Sequence, residues 1–295
     1  MQPHPFVSII IPVYRNWDSL TLCLQALANQ SYPVQRFEVI VVNNDPKDNP
    51  QIPDSISNLR ILEENTPGSY AARNTGIRAA HGHVLGFCDA DCIPYSDWIE
   101  QGVHFLDTHF DLTRAAGKVE LMASGRQTGY AELYETIFAF RQEEYTQKGA
   151  STTANMFAYY RVFEAVGFFR DDLLSGGDLE WSRRAQSAGW KIGYAQQAVV
   201  YHPARKSVPE LAAKAKRVCS GYIYLNNADI KKNPINAVYH GLCMLKPPFK
   251  AAKMIFERRD LRLHDKLLLY CLEYHLKLVQ LWEYTRLQIG KSGRR

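Results

Sequence analysis

Short apolar runs alternate with segments of helical periodicity through the first two thirds of the chain. Residues 6–13 and 37–42 are almost continuously apolar and rich in β-branched side chains, which is typical of strands buried on both faces. Residues 17–29, between them, carry leucines at helical spacing. Further strands are predicted at 59–62, 84–88, 114–122 and 198–201, and further helices at 69–80, 98–106, 130–145, 162–166 and 178–188. This alternation predicts an α/β fold with a doubly wound, mostly parallel, Rossmann-like sheet.

Polar residues follow two of these predicted strands directly. Asn43-Asn44-Asp45 comes after the second strand, and Asp89-Ala90-Asp91 comes after the fourth. In doubly wound sheets, ligands bind at the carboxyl ends of the strands. The sequence therefore predicts a binding site that contains both segments.

From Val208 onward the pattern predicts helices, interrupted at Pro234 and at Pro247-Pro248. Composition, with 295 residues of which 46% are hydrophobic, allows a sizeable core. We therefore expect one α/β domain over residues 1–205 and a helical region over residues 206–295.

The net charge of +5 conceals an asymmetry between these two parts. Residues 1–203 contain 16 Lys and Arg against 23 Asp and Glu, whereas residues 204–295 contain 19 against 7. The basic region mixes bulky apolar residues with Lys and Arg at 245–256 and 267–287, which suits an anionic membrane surface. The alternative is a helical appendage that packs on the first domain or forms a homo-oligomer. Nucleic acid is not expected as a partner, because no recognition module is present.

The cysteines and the apolar segments indicate a cytoplasmic protein. Six cysteines are scattered without a Cys-x-x-Cys pair, which favours reduced thiols. The N-terminus lacks the features of a secretory signal, and no stretch reaches the ~18 apolar residues of a membrane-spanning helix. If the basic region binds lipid, the protein is peripheral on the cytoplasmic face of the membrane. Cys88 and Cys92 flank the aspartate pair, but their spacing favours small core residues over zinc ligands.

Asp89 and Asp91 are the first candidates for chemistry. Two carboxylates in a turn after a buried strand are suited to a hard divalent cation, Mg²⁺ or Mn²⁺, which proteins commonly hold together with substrate phosphates. The pattern Asp-x-Asp alone is weak, since two solvated loop aspartates look the same. The position of this pattern in an ordered series of other motifs is stronger evidence for a metal site.

Several further motifs accompany the aspartate pair in a fixed order. They are IIIPVYRN at 9–16, VVNND at 41–45, GSYAARNTG at 68–76, FCDADCIP at 87–94, TAN at 153–155, GGDLEWSRR at 176–184 and AVVYHP at 198–203. Together they resemble the family 2 glycosyltransferases, which are inverting enzymes of the GT-A fold. The resemblance spans about the first 205 residues. It implies transfer of a sugar from a nucleotide-diphosphate donor to a hydroxyl of a glycan, lipid-linked or other acceptor, in assembly of a surface polysaccharide or glycolipid.

The resemblance also implies roles for individual residues. Asp45 would hydrogen-bond the nucleotide base or ribose, and Arg73 and Asn74 would face the donor ribose or diphosphate. Alternatively, Asp45 is an ordinary turn carboxylate and Arg73 is a surface residue of its helix. Asp91 would ligate Mn²⁺ or Mg²⁺, and Asp89 would contact the same metal or the donor ribose. His202 would complete the metal shell or meet the diphosphate, although a structural role fits it equally well. The full set implied for the nucleotide-sugar is Pro12, Val13, Tyr14, Asn43, Asp45, Arg73, Asn74, Asp89, Ala90 and Asp91.

Asp178 matches the family's catalytic base, which takes the proton of the acceptor hydroxyl. A helix N-terminus favours its ionised form, although the same position suits an ordinary helix cap. In the family a Glu often precedes this Asp, whereas here Gly177 does. That departure keeps Glu180 open as the base, and it keeps open a degenerate relative that binds a nucleotide-sugar or glycan without turnover. Trp181 and the Arg183-Arg184 pair suit an acceptor pocket or simple helix packing.

Two other enzyme classes fit less well. A nucleotidyltransferase would be expected to carry a Gly-rich, Lys-containing phosphate loop, which is not evident. A dinucleotide-dependent dehydrogenase would show Gly-x-Gly-x-x-Gly after the first strand, and this chain does not.

Overall fold

The computed structural model describes residues 4–48, 57–122, 129–231 and 234–289. The chain divides into two compact units. The first comprises Met1–Met122, Phe140–Leu173 and Gly177–Pro203, and the second comprises Ala123–Ala139, Leu174–Gly176 and Ala204–Arg295. The main part of the second unit thus begins beside the predicted boundary at 205, but it also takes in two earlier segments.

The first unit is built on a mixed eight-stranded sheet. Its strands are β1 (Val7–Val13), β2 (Phe37–Asn43), β3 (Leu59–Glu63), β4 (Val84–Cys88), β5 (Ile93–Pro94), β6 (Arg114–Met122), β7 (Asn155–Tyr159) and β8 (Ile192–Pro203). Its helices are α1 (Trp17–Ala28), α2 (Ser69–Ala79), α3 (Trp98–Thr108), α5 (Gln142–Thr146), α6 (Tyr160–Val166) and α7 (Gly177–Ser187). The strand order is β3-β2-β1-β4-β7-β6-β8-β5.

The first four strands in this order are parallel, as the apolar runs predicted. Ile10 in the middle of β1 pairs with Ile40 of β2 on one side and with Phe87 of β4 on the other, and all three are fully buried. Such strands contact helices on both faces, which explains why their sequences are continuously apolar rather than alternating. The carboxyl ends of β2, β1 and β4 therefore lie side by side.

The other half of the sheet is mixed. Strand β6 pairs in parallel with β8, so four of the seven strand pairs are parallel and the sheet is mostly parallel, as predicted. Strand β7 runs antiparallel to both β4 and β6, and β5 is a two-residue strand antiparallel to β8. Strand β7 lies in residues 151–159, where only a small-residue stretch was expected. Its five residues show neither a long apolar run nor a full alternating pattern, so the local signal was weak.

The helix predicted at 130–145 is two helices, α4 (Tyr130–Phe138) and α5. Between them Phe140 adopts a positive φ of 47°. That left-handed conformation is incompatible with a continuing right-handed helix, so the backbone turns there.

The second unit is helical and contains α4, α8 (Val208–Lys231), α9 (Pro234–Leu245), α10 (Phe249–Glu257) and α11 (Leu263–Gln288). Helix α9 begins at Pro234 and α10 follows Pro247-Pro248, as predicted, because proline is tolerated only in the first turn of a helix. Leu211 and Ala215 of α8 pack with Leu276 of α11 in one of its apolar clusters. Over the described residues, no helix has the length and hydropathy needed to cross a membrane.

Candidate active site

The Asp89-Ala90-Asp91 turn lies directly after β4, at the carboxyl end of the parallel strands. The backbone N–H of Cys92 donates to the Asp89 carbonyl at 3.0 Å and closes the turn. Ala90 is buried in the main apolar core, whereas the side chains of Asp89 and Asp91 are 31% and 32% exposed. The small middle residue anchors the turn, so both carboxylates remain accessible to a ligand.

His202 lies beside Asp91 although 111 residues separate them in the sequence. The pairing of Ile93 in β5 with Tyr201 in β8 sets the register that brings them together. The His202 ring is buried against the ring of Phe140, with centroids 4.5 Å apart, and its Nε2 lies 3.5 Å from Asp91 Oδ1. The structure therefore brings together two of the three predicted metal ligands.

The hydrogen bonding of His202 indicates which of its two ring nitrogens carries the hydrogen and which faces Asp91. Its Nδ1 lies 2.8 Å from the carbonyl oxygen of Pro203. Because a carbonyl oxygen only accepts, Nδ1 carries the hydrogen, and in the neutral imidazole Nε2 presents its lone pair towards the carboxylate. This is the arrangement common for metal-ligating histidines, in which the other ring nitrogen donates to a backbone carbonyl.

These residues fit a divalent cation. A carboxylate oxygen and an imidazole lone pair that face each other repel unless a proton or a metal cation lies between them. Carboxylate oxygens suit Mn²⁺ and Mg²⁺, and an imidazole nitrogen suits first-row transition metals, to which Mn²⁺ belongs. Cys92 lies in the same group, with its sulfur within 4.8 Å of the other ligand atoms. The neighbouring Cys88 thiol lowers the pKa of Cys92, but burial and the two aspartates raise it more, to about 11. At neutral pH Cys92 is therefore a buried neutral thiol, in keeping with its expected role as a core residue.

Asp89 is engaged differently from Asp91, because it forms an ion pair with Arg73 of α2. The Arg73 side chain is 4% exposed, so it is not the surface residue that the sequence left open. Its Nη1 also donates to the Ser69 carbonyl at 3.4 Å, and its guanidinium lies 5.7 Å from the centroid of the Tyr70 ring. Within the described residues its buried Nε has no hydrogen-bond partner. Arg73 thus places a fixed positive charge directly beside the aspartate turn.

The end of β2 forms a second polar edge next to this turn. The buried Asn43 accepts the backbone N–H of Asp45 at 2.9 Å, and its amide donates to the Asp48 carbonyl at 3.0 Å. Asp45 in turn accepts from Arg15 Nε at 2.5 Å, and the Arg15 guanidinium lies over the Tyr14 ring, 5.1 Å from its centroid. Asn43 therefore shapes the turn, and Asp45 is the residue that presents a carboxylate.

Two residues on this edge were not anticipated. Arg15, with a positive φ of 53°, holds Asp45, and the only local signal for it was its place next to Tyr14. Asn44 is buried, its backbone N–H donates to Val13 at 2.8 Å, and its side chain accepts from Gly68 N at 2.8 Å. It ties the ends of β1 and β2, including the predicted Pro12–Tyr14 turn, to the loop before α2.

Asn74 is not among the residues that the structure brings together. It is buried, its Nδ2 donates to the Phe169 carbonyl at 2.9 Å, and its Oδ1 accepts the Phe169 N–H at 3.1 Å. The expectation that it faces the donor stays a prediction. Its observed contacts instead give it a role in fixing the chain that precedes α7.

Asp178 occupies the first turn of α7 and is half-buried. The Tyr70 hydroxyl donates to its Oδ1 at 3.0 Å, and so does the Leu179 backbone N–H at 2.9 Å. Within the described residues Oδ2 accepts no hydrogen bond. The carboxylate is thus held by one oxygen while the other is available to a substrate proton.

Burial raises the pKa of Asp178, and the Tyr70 hydrogen bond and the positive charge of Arg73 offset only part of that rise. The desolvated carboxylate is therefore a stronger base than an exposed aspartate. Burial also holds the pKa of Tyr70 far above its usual range, so its phenol keeps its hydrogen and acts as a donor.

The residues around Asp178 bear on two questions that the sequence leaves open, namely whether Asp178 or Glu180 is the base and why Gly177 replaces the usual glutamate. A side chain at Gly177 would meet the Tyr70 ring, because a Cβ there would lie 2.9 Å from it. The ring therefore occupies the space of the expected glutamate. Glu180 is engaged by Arg184, with Nε–Oε1 2.7 Å, and the fully buried Trp181 stacks on Phe163 at 4.2 Å. Trp181 and Arg184 thus have structural contacts of their own.

Comparisons with known proteins show the family to which the chain belongs. The family model described as Glycosyl transferase family 2 matches residues 8–165. Glycosyltransferase AglE of Haloferax volcanii is 39% identical over 227 residues, which cover 74% of this chain and 73% of that protein. A Methanococcus voltae enzyme is 22% identical over 241 residues, covering 74% and 75%. It is named dolichyl N-acetyl-alpha-D-glucosaminyl phosphate 3-beta-D-2,3-diacetamido-2,3-dideoxy-beta-D-glucuronosyltransferase.

Among solved structures, the mannosyltransferase PcManGT of Pyrobaculum calidifontis, in complex with GDP-Man and Mn²⁺, is similar in fold. Its TM-score is 0.62 at 16% identity, with 98% of this chain and 88% of that chain covered. The predicted GT-A fold with C-terminal helices is confirmed. The chain belongs to glycosyltransferase family 2 and is a transferase.

Proposed function

We propose that this protein transfers a sugar, with inversion, from a nucleotide-diphosphate donor to an acceptor hydroxyl, in a reaction that depends on Mn²⁺ or Mg²⁺. The observation that carries the proposal is the position of His202 Nε2, 3.5 Å from Asp91 Oδ1, at the carboxyl end of β4. Arg73 and Asp89 lie on the same turn, and the Arg73 charge acts on Asp178. These groups supply a cation site, a positive charge and a base.

The donor binds along the carboxyl ends of β1, β2 and β4 in this proposal. Asp45 accepts a hydrogen bond from the base or ribose, and Tyr14 offers an exposed ring beside it. Arg73 lies next to the diphosphate. The GDP-Man of PcManGT supports a nucleotide-sugar donor.

Asp91 and His202 would hold the cation, and Asp89, which Arg73 orients, would complete the site or contact the ribose. A metal bound there would supply positive charge against the departing diphosphate. The Mn²⁺ in the PcManGT complex supports such a cofactor.

Asp178 is the base. Its Oδ2 takes the proton of the acceptor hydroxyl as that oxygen bonds to the anomeric carbon and the bond from that carbon to the diphosphate oxygen breaks. One displacement inverts the anomeric centre and needs no protein nucleophile. Glu180 is less suited to this role, because its carboxylate is paired with Arg184. The Tyr70 ring against Gly177 accounts for the missing glutamate, so that departure no longer favours a degenerate binding protein.

A glycan or lipid-linked acceptor, in assembly of a surface glycan or glycolipid, fits best. The Methanococcus voltae relative is named for transfer onto a dolichyl phosphate-linked sugar, which supports a lipid-linked acceptor here.

The decisive experiment measures nucleotide release from UDP-, GDP- and dTDP-sugars with Mn²⁺, Mg²⁺ or EDTA. We expect metal-dependent release that Asp91→Ala abolishes and the exposed control Asp111→Ala leaves intact. Asp178→Asn should retain donor binding by calorimetry and lose transfer, whereas Glu180→Gln should keep transfer. Activity that survives both EDTA and Asp91→Ala would refute the metal site, and loss of transfer only in Glu180→Gln would reassign the base.

A further inference from the structure

Helices α9 and α10 of the second unit expose large apolar side chains. Leu242 and Leu245 of α9, and Phe249 and Phe256 of α10, are all exposed, Phe249 to 75%. The spacings of three residues and of seven residues place each pair on one side of its helix. We call these four residues, with the lysines described below, the α9–α10 face. Large apolar side chains that recur on one side of each of two consecutive helices mark an interaction surface rather than a solvated helix.

Contacts with α11 keep the two helices in one layer. The Tyr274 hydroxyl donates to the Leu245 carbonyl at 3.2 Å, and Lys277 Nζ donates to the Lys246 carbonyl at 2.6 Å. At the other end of α10, Lys266 Nζ donates to the Phe256 carbonyl at 3.0 Å. The chain from α9 to α10 thus runs along one side of α11.

The inner side of α10 is distinct from its exposed side. Ala251 and Ile255 are buried, and Ile255 packs in a cluster with Leu269 of α11. Phe249 and Phe256 lie on the other side of the helix. Their exposure is therefore a property of the packed unit and does not reflect a loose helix.

The charges within this face are mainly positive. Lys246, Lys250 and Lys253 are exposed and interleave with the apolar side chains. The one acid in the sequence of α9 and α10 is Glu257, whose Oε1 lies 3.8 Å from Lys253 Nζ, so the net charge of the face remains positive. Apolar and aromatic side chains flanked by lysines match the interface of an anionic bilayer, where rings insert at the headgroup level and ammonium groups meet lipid phosphates.

A second copy of the chain is the competing partner. The exposed residues of α11 include no Lys, Arg, Asp or Glu. Exposed residues also recur along this helix at alternating spacings of three and four, a pattern that suits a helix pair; they are Leu268, Cys271, His275, Leu278 and Trp282. For the α9–α10 face itself, however, a two-fold contact would bring lysines against lysines. The acid that a second copy would present, Glu257, is already paired with Lys253 of its own helix. Charge therefore favours lipid over a copy of this face.

We infer that the α9–α10 face binds the surface of an anionic lipid bilayer, with Phe249 and Phe256 in the interface and the three lysines at the headgroups. The full-length protein is mixed with vesicles of phosphatidylcholine alone or of phosphatidylcholine with phosphatidylglycerol, and binding is measured by flotation. Donor and acceptor are absent, so the result does not depend on transfer activity. We expect binding to the anionic vesicles only, weakened by added salt.

Two sets of variants locate the surface. Changing all three lysines to Gln should lower the partition coefficient roughly 100-fold, since each basic residue near an anionic surface contributes about fivefold. Phe249→Ser with Phe256→Ser should lower it by about tenfold or more. The matched controls lie in the first unit: Lys148→Gln with Lys191→Gln for charge, and Phe110→Ser for an exposed ring, which is 92% exposed. These controls should bind like the wild type.

Because all these side chains are exposed, the variants should keep the wild-type melting temperature and far-UV circular dichroism. The inference is overturned if the wild type does not float with anionic vesicles, or if the controls weaken binding as much as the α9–α10 variants. It is also overturned if light scattering shows a dimer that the two Phe→Ser changes dissociate, because the face is then an interface between copies.

Discussion

Tyr70→Phe isolates the contribution of a single hydroxyl to the proposed base. The hydroxyl donates to Asp178 Oδ1 at 3.0 Å and lowers the pKa of that carboxyl, against the larger effect of burial, which raises it. Removing the hydroxyl should therefore raise the pKa of Asp178 further. Asp178 accepts a proton only when ionised, so activity is present above its pKa and is lost as the pH falls through it. The variant should lose activity at a higher pH than the wild type.

The hydrogen bond gives the size of the effect. A net contribution of ~1.5–3 kcal/mol is typical of hydrogen bonds to charged groups, and ~1.4 kcal/mol corresponds to a factor of ten. On the acidic side of the profile we therefore expect kcat to fall by about ten- to a hundredfold, while the alkaline plateau stays near the wild-type value. Transfer is measured at saturating donor and acceptor across the pH range in which the wild type remains folded.

Tyr145→Phe is the matched control. Burial raises the pKa of Tyr145, and the charge of Asp178 adds to that rise, but within the described residues Tyr145 donates no hydrogen bond to the Asp178 carboxylate. Its variant should keep the wild-type pH profile. A uniform loss of kcat at every pH in Tyr70→Phe, or an unmoved acidic limb, would refute the reasoning, because Tyr70 would then act through packing alone.

Three further predictions test other parts of the molecule. His202→Ala should raise the Mn²⁺ concentration needed for half-maximal nucleotide release by more than the ~10–100-fold typical of losing an outer-shell partner; an unchanged metal titration would make His202 structural. Asn74→Ala should cost ~1–3 kcal/mol of unfolding free energy in urea titrations and leave donor KM unchanged, because it leaves Phe169 backbone groups unpaired; the opposite pattern would place Asn74 on the donor. Burial raises the pKa of Glu135, but Lys214 and Arg205 lower it more, so the pKa is lowered overall. The ionised Glu135 therefore stabilises the folded protein at neutral pH, and this contribution to the free energy of unfolding is lost as the pH falls. Glu135→Gln should therefore cost ~3–5 kcal/mol at neutral pH and progressively less in acid, whereas the exposed control Glu257→Gln should stay within ~0.5 kcal/mol.

Much of the candidate site was predictable because its motifs are local. Asn43–Asp45 and Asp89–Asp91 each follow an apolar run that is a buried strand, and the rule for doubly wound sheets placed them at one edge. Tyr70 and Arg15 were missed because an aromatic and a basic residue inside otherwise ordinary segments give no local sign of what they contact. Tyr70 does stand one helical turn before Arg73, which is the one signal that could have drawn attention to it.

The amino-acid sequence by itself determined where most strands and helices begin and end, because apolar periodicity and proline positions act within a few residues. It also determined the family, through the order of its motifs. Only the tertiary structure decided which groups meet. Contacts between distant segments set the antiparallel direction of β7 and the register of Ile93 with Tyr201, which places His202 against Asp91. They also bring Arg73 to Asp89, so that the two aspartates have different partners. Such contacts are set by strand order and register, which no short stretch of sequence encodes.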